Sequence, residues 1–116
     1  MSAQPIPEVW RKAVCADLRA RRKRIEYTND FYDRWQQDFP GETYPGLLDD
    51  FETMLSMSLQ GCLVTMDPPA RAGKTWEFWF MHGDDKAYGK ILLRADGKGI
   101  VLYSAHLPDR KHLRCE

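Results

Sequence analysis

The residues best suited to chemistry crowd the last third of the chain. Tyr88, Lys90 and Arg94 lie in one β-rich run, Tyr103 and His106 lie in the next, and Arg110 and His112 follow. Cations alternating with phenols across a strand pair suit a phosphodiester and its bases. Ammonium and guanidinium groups take the phosphate, and aromatic rings stack on bases. Each residue also has a plainer use. Lys90 and Arg94 fit solvent-exposed strand positions, and a lone histidine is more often structural than reactive. What favours a site at His106 is its company, with Arg110 and His112 close behind.

Other chemistries find no footing. Ala72-Gly73-Lys74-Thr75 imitates the end of a phosphate-binding loop, but Pro68 stands where the motif needs its first glycine. A strand also follows where that motif requires a helix. His106, His112 and Cys115 have no established metal spacing and lack a fourth ligand, so no metal or other cofactor is expected. No G-x-S-x-G context supports a serine hydrolase.

The chain has 116 residues, with 17 Lys and Arg against 17 Asp and Glu. That is room for one domain. Zero net charge excludes a protein that coats nucleic acid by bulk electrostatics. Split along the chain, the balance is uneven. Residues 1–40 carry eight basic against six acidic groups, residues 41–70 none against five, and residues 71–116 nine against six. The densest basic run, Arg19–Arg24, reads as a solvated helix end or as a contact patch for phosphate or a partner. No apolar run approaches the ~20 residues of a membrane span. The start, MSAQPIPEVWRK, lacks the apolar core of a signal peptide. Cys15, Cys62 and Cys115 cannot all pair, and none forms C-x-x-C. A disulfide scaffold or zinc knuckle is therefore not expected, and a reducing cytoplasm is.

The elements that must position these residues follow from period and punctuation. A first helix is expected from Pro7 to Ile25, with Val9, Ala13, Ala16 and Ala20 at helical spacing and Val14 and Leu18 beside them. A second starts at Asn29 as N-cap, pairs Phe31 with Trp35, and stops at Phe39-Pro40-Gly41. A third carries Leu47, Leu48, Phe51, Met54, Leu55 and Leu59 on one face, with Gly61 as its C-cap. Asp49, Asp50 and Glu52 make that helix acidic and give it a face for a basic partner. Strands are expected at 62–66, 76–81, 87–94 and 99–106, with a loop at 67–73 and a turn at 82–85. The fold class is thus α+β. About three N-terminal helices (1–60) pack on a mostly antiparallel four-stranded sheet with a C-terminal tail (61–116), as a single domain.

Asp96-Gly97 is a strong hairpin signal and fixes a register. Leu93 then faces Ile100, Leu92 faces Val101, Ile91 faces Leu102, and Lys90 faces Tyr103. Ile91, Leu93, Ile100 and Leu102 form the core face, with Gly89, Ser104 and His106 towards its end. Tyr88, Lys90, Leu92, Arg94, Val101 and Tyr103 take the other face. This puts Lys90 and His106 on opposite sides of the sheet.

Helices followed by an antiparallel sheet, an aromatic strand, and then Tyr88-Gly89-Lys90-Ile91 and Tyr103-Ser104-Ala105-His106 resemble the RelE-type ribonuclease toxins of bacterial type II toxin–antitoxin systems. The resemblance spans about residues 46–116. It implies metal-independent RNA cleavage, often on the ribosome, in the cytoplasm. Lys90 and Arg94 would stabilise phosphate, Tyr103 or Tyr88 would position a base, His106 or His112 would serve as acid or base, and Arg110 would clamp a phosphate. A cognate antitoxin would be the protein partner. The competing expectation is a non-enzymatic inhibitor, such as an immunity protein, an antitoxin or a phage-encoded inhibitor of an enzyme. Its support is the balanced charge and four tryptophans able to sit on a surface: Trp10, Trp35, Trp76 and Trp79.

Overall fold

A computed structural model describes residues 2–65 and 72–116, so most of the loop expected at 67–73 lies outside the described residues. The chain runs β1 (Gln4–Pro5), α1 (Glu8–Ala20), a 3-10 turn (Arg22–Arg24), β2 (Ile25–Tyr27), α2 (Asn29–Asp38) and α3 (Tyr44–Leu55). It continues with β3 (Gln60–Val64), β4 (Gly73–His82), β5 (Asp85–Arg94) and β6 (Ile100–His106). The sheet order is β1-β3-β4-β5-β6-β2. The expected four-stranded antiparallel meander is its centre. Two short edge strands enlarge it to six: β1 pairs antiparallel with β3, and β2 pairs parallel with β6. The fold is α+β, and the sheet is mixed.

The first helix stops five residues before its expected end. Arg21 adopts φ 63°, a left-handed conformation that a non-glycine residue rarely takes and that halts a helix. Arg24 then turns back to Asp17 (3.0 Å) and to the Gly97 carbonyl (2.8 Å), and Ile25 enters a strand. The buried face of α1 is Trp10, Val14, Cys15 and Leu18, whereas Val9 is 83% exposed. The larger side chains set the helix rotation, and the alanine stripe does not. Thr28, not Asn29, caps α2, its hydroxyl accepting from the Phe31 N–H.

Some of the charges that looked available for partners pair within the fold. Arg21 reaches Asp49 (2.9 Å) and Arg19 reaches Glu52 (3.8 Å), which ties the basic run to the acidic helix. Trp10, Trp35 and Trp76 are buried, which withdraws three of the four aromatics offered for an interface.

Helix α3 begins at Tyr44 behind the Thr43 cap and ends at Leu55, so Gly61 is not its C-cap. Gly61 lies in β3, where an added Cβ would stand 2.3 Å from the Glu77 backbone oxygen. Backbone cannot yield there as a side-chain tip can. Gly61→Ala is expected to lose about 1–3 kcal/mol in denaturant unfolding, and an unchanged midpoint would contradict the close approach.

His82 ties the β4–β5 turn to the helices. Its Nδ1 bonds Asp50, its Nε2 lies 3.3 Å from Glu42, and its ring meets Trp35 and Phe39 edge-on. Burial opposes the imidazolium, but the hydrogen bonds and charges of Asp50 and Glu42 outweigh it and raise the pKa above 6.5. A raised folded-state pKa stabilises most below the unfolded value and loses that contribution as pH rises through the folded one. Wild-type stability should therefore fall, relative to His82→Gln, as pH climbs above about 6.5. Parallel stability–pH curves for the two proteins would contradict this.

Candidate functional site

The hairpin register holds near its turn. Leu93 faces Ile100, Leu92 faces Val101, and Ile91 faces Leu102. One residue on it shifts, and Lys90 faces Ser104 instead of Tyr103. The irregularity is a β-bulge that leaves an extra residue on β6 and exchanges the faces beyond it. Gly89 then opposes Ala105, and Tyr88 opposes His106. Ala105 turns into the core, where a Cβ on Gly89 would already meet Phe78 and Phe51 within 3.0 Å. Without the bulge, Ser104 and His106 would point into that crowded apolar layer and leave polar groups unpaired. With it, they join Tyr88 and Lys90 on the face opposite the apolar core. This corrects the expectation that Lys90 and His106 lie on opposite sides.

The tail after β6 folds over this face between two anchors. At its start, Asp38 of α2 accepts from the Leu107 N–H (2.9 Å), and Arg34 grips Asp109 at 2.6 and 3.3 Å. At its end, Cys115 is joined to Cys62 of β3. That pairing runs against the expectation of no disulfide, and it removes the argument for a reducing compartment; Cys15 is left free and buried. Leu113 packs in a small cluster with Cys62 and Tyr88, flanked by Trp79. The Arg114 N–H donates to Glu77 (2.6 Å). The segment between the anchors carries Arg110, His112 and Arg114.

Sheet face and tail enclose an open pocket of about 400 Å³. Tyr88, Lys90, Ser104 and His106 line it from the strands, with Trp79 beside them. Arg110, His112 and Arg114 line it from the tail, with Asp109 at the rim. Five of the seven expected site residues thus meet in one place. The other two do not line it. Arg94 sits at the hairpin end, bound to Glu26 (3.0 Å) and Asp96. Tyr103, at the bulge, borders a smaller hollow against α2, with Lys90 Nζ 6.0 Å from its ring centre.

The pocket is cationic with a buried counter-charge. Glu77 is fully buried and accepts from the Tyr88 hydroxyl and from the Arg114 N–H, with the Arg114 guanidinium 3.6 Å away. Asp109 is committed to Arg34, whose hydrogen bond lowers its pKa. Burial and then Arg114 lower the Lys90 pKa, Glu77 pulls it back, and Arg110 lowers it further. An anion entering here would relieve that repulsion. Burial, then the Glu77 carboxylate, push the Tyr88 phenol far above its ordinary range, so it stays a neutral donor. His106 Nδ1–H donates to the Leu107 carbonyl (2.7 Å), so in the neutral ring it is Nε2 that carries the lone pair. His106 and Tyr88 rings lie 5.1 Å apart. Among the described residues, no group of three His, Cys, Asp or Glu could hold a metal ion. No helix there is long and apolar enough to cross a membrane.

Sequence reasoning passed over Glu77, Trp79, Ser104, Asp109 and Arg114. Glu77 had a signal: a lone carboxylate in the aromatic run Trp76–Met81 implies a buried partner. In comparisons with protein-family models, curated proteins and solved structures, nothing matches this chain.

Proposed function

We propose that the protein cleaves RNA at this pocket without a metal, in the manner of the RelE-type toxins its sequence resembles. The observation that carries the reading is the bulge-driven meeting of Lys90 and His106 under Arg110 and His112. Lys90 and Arg110 hold the non-bridging phosphate oxygens and take up charge as the phosphorane forms. His106 Nε2 accepts the 2′-hydroxyl proton as the 2′-oxygen bonds phosphorus. Protonated His112 gives its proton to the 5′-oxygen as that bond breaks. The products are a 2′,3′-cyclic phosphate and a 5′-hydroxyl. Tyr88, kept neutral, backs the His106 ring, and Trp79 offers an apolar flank to a base.

The test is purified protein incubated with RNA and with translating ribosomes in a chelator. Cyclic-phosphate ends are expected, and intact RNA in both assays overturns the reading. Expression offers a second readout: a ribonuclease arrests growth, whereas an inhibitor of another enzyme does not.

A further inference from the structure

We infer that Glu77 is the positioning residue of the pocket, its buried carboxylate fixing Tyr88 and the Arg114 end of the tail so that the tail's cations face Lys90. The inference deepens the RNA reading and rests on it for the substrate, but the anion site it describes can be measured alone.

The geometry is specific. Glu77 stands at the centre of β4, paired with Cys62 on one side and Lys90 on the other. It is wholly buried, an expensive place for a carboxylate unless hydrogen bonds compensate. One oxygen accepts the Arg114 N–H at 2.6 Å, and the other accepts the Tyr88 hydroxyl with the Arg114 guanidinium at 3.6 Å. Two of these partners come from the tail and one from β5. The carboxylate therefore joins the floor of the pocket to its wall. Leu113 and Cys115, on either side of Arg114, hold the tail's backbone by packing and by the bond to Cys62, but neither touches the Arg114 guanidinium. Glu77 does.

A second role follows from charge. Lys90 is faced by Glu77 from β4, by His106 from β6, and by Arg110, His112 and Arg114 from the tail. Asp109 stands at the rim, held by Arg34. Glu77 is the acidic group whose charge favours the Lys90 ammonium, against burial and the Arg114 and Arg110 guanidinium groups.

Two accounts of Glu77 predict opposite signs. If it were merely a nearby negative charge, Glu77→Gln would relieve repulsion and tighten anion binding. If it positions the cations, Glu77→Gln loosens the tail and weakens binding, although the pocket becomes more positive. We expect Glu77→Gln to bind inorganic phosphate about 10- to 100-fold more weakly, as for loss of a buried charge-assisted hydrogen bond. Phosphate titration of the oxidised full chain measures the affinity. Equal or tighter binding by a folded Glu77→Gln protein overturns the proposal. Should that variant not fold, Glu77→Asp decides: it keeps the charge but falls a methylene short of Arg114. Weaker phosphate binding supports positioning, and unchanged binding refutes it. Wild-type protein that binds phosphate through Glu77 yet leaves RNA intact would overturn the RNA reading and not this one.

Discussion

On the proposed mechanism, His106→Ala is expected to lower the rate of RNA cleavage by about 10²- to 10⁴-fold, the usual worth of a positioned acid or base. The Leu107 carbonyl fixes one ring nitrogen as donor, so the other is the proton acceptor in the neutral ring. The loss should fall on kcat more than on KM, because Lys90 and Arg110, the proposed phosphate ligands, still line the pocket. Alanine at 106 leaves the core untouched, since it is Ala105 that packs inward. An unchanged thermal midpoint should accompany the loss. Single-turnover cleavage of a short RNA measures the rate, and a variant within about threefold of wild type would remove His106 from the mechanism.

Cys115→Ser is expected to cost about 4 kcal/mol of stability in the chain-entropy account, because the bond closes a loop between residues 53 apart in sequence. That is a large share of the ~5–15 kcal/mol typical of a domain. Denaturant unfolding of the variant, and of wild type with and without a dithiol, measures it. Coincident curves would show that the bond adds nothing. A local loss should accompany the global one. Arg110, His112 and Arg114 sit between the α2 anchor and the bond, so the unlinked tail frays from its far end. Phosphate affinity should then drop while α3 and the turn end of the hairpin, which the tail does not cover, keep their packing.

Much of the scaffold was legible from the order of residues. Apolar residues at helical spacing announced α2 and α3, and the Asp96-Gly97 turn announced the β5–β6 hairpin with its inner register. Ile91, Ile100 and Leu102 are core residues, as alternation requires. The two edge strands were not legible. Gln4–Pro5 and Ile25–Tyr27 are too short to show a period and exist because neighbouring strands offer them an edge. The end of α1 was hidden too, since nothing local marks Arg21 as a residue of positive φ. The long-range pull of Asp17 and Gly97 on Arg24 holds that turn.

The sequence by itself determined which chemical groups were on hand: Tyr88, Lys90, His106, Arg110 and His112 in one stretch, on or beside a hairpin of known turn. Those are properties of residue type and local spacing, and local interactions suffice to read them. Tertiary structure decided which of them meet. A single extra residue in β6 reversed the faces beyond Ile91, because Gly89 and the rings of Phe51 and Phe78 leave no room for Ser104 and His106 on the core side. Contacts from Asp38, Arg34, Cys62 and Glu77 drew the tail across the sheet. Arg94 was lost to Glu26 and Asp96 by the same kind of contact. Apart from Arg94–Asp96, these pairings join residues far apart in the chain, and their energies depend on packing that exists only once the sheet has formed.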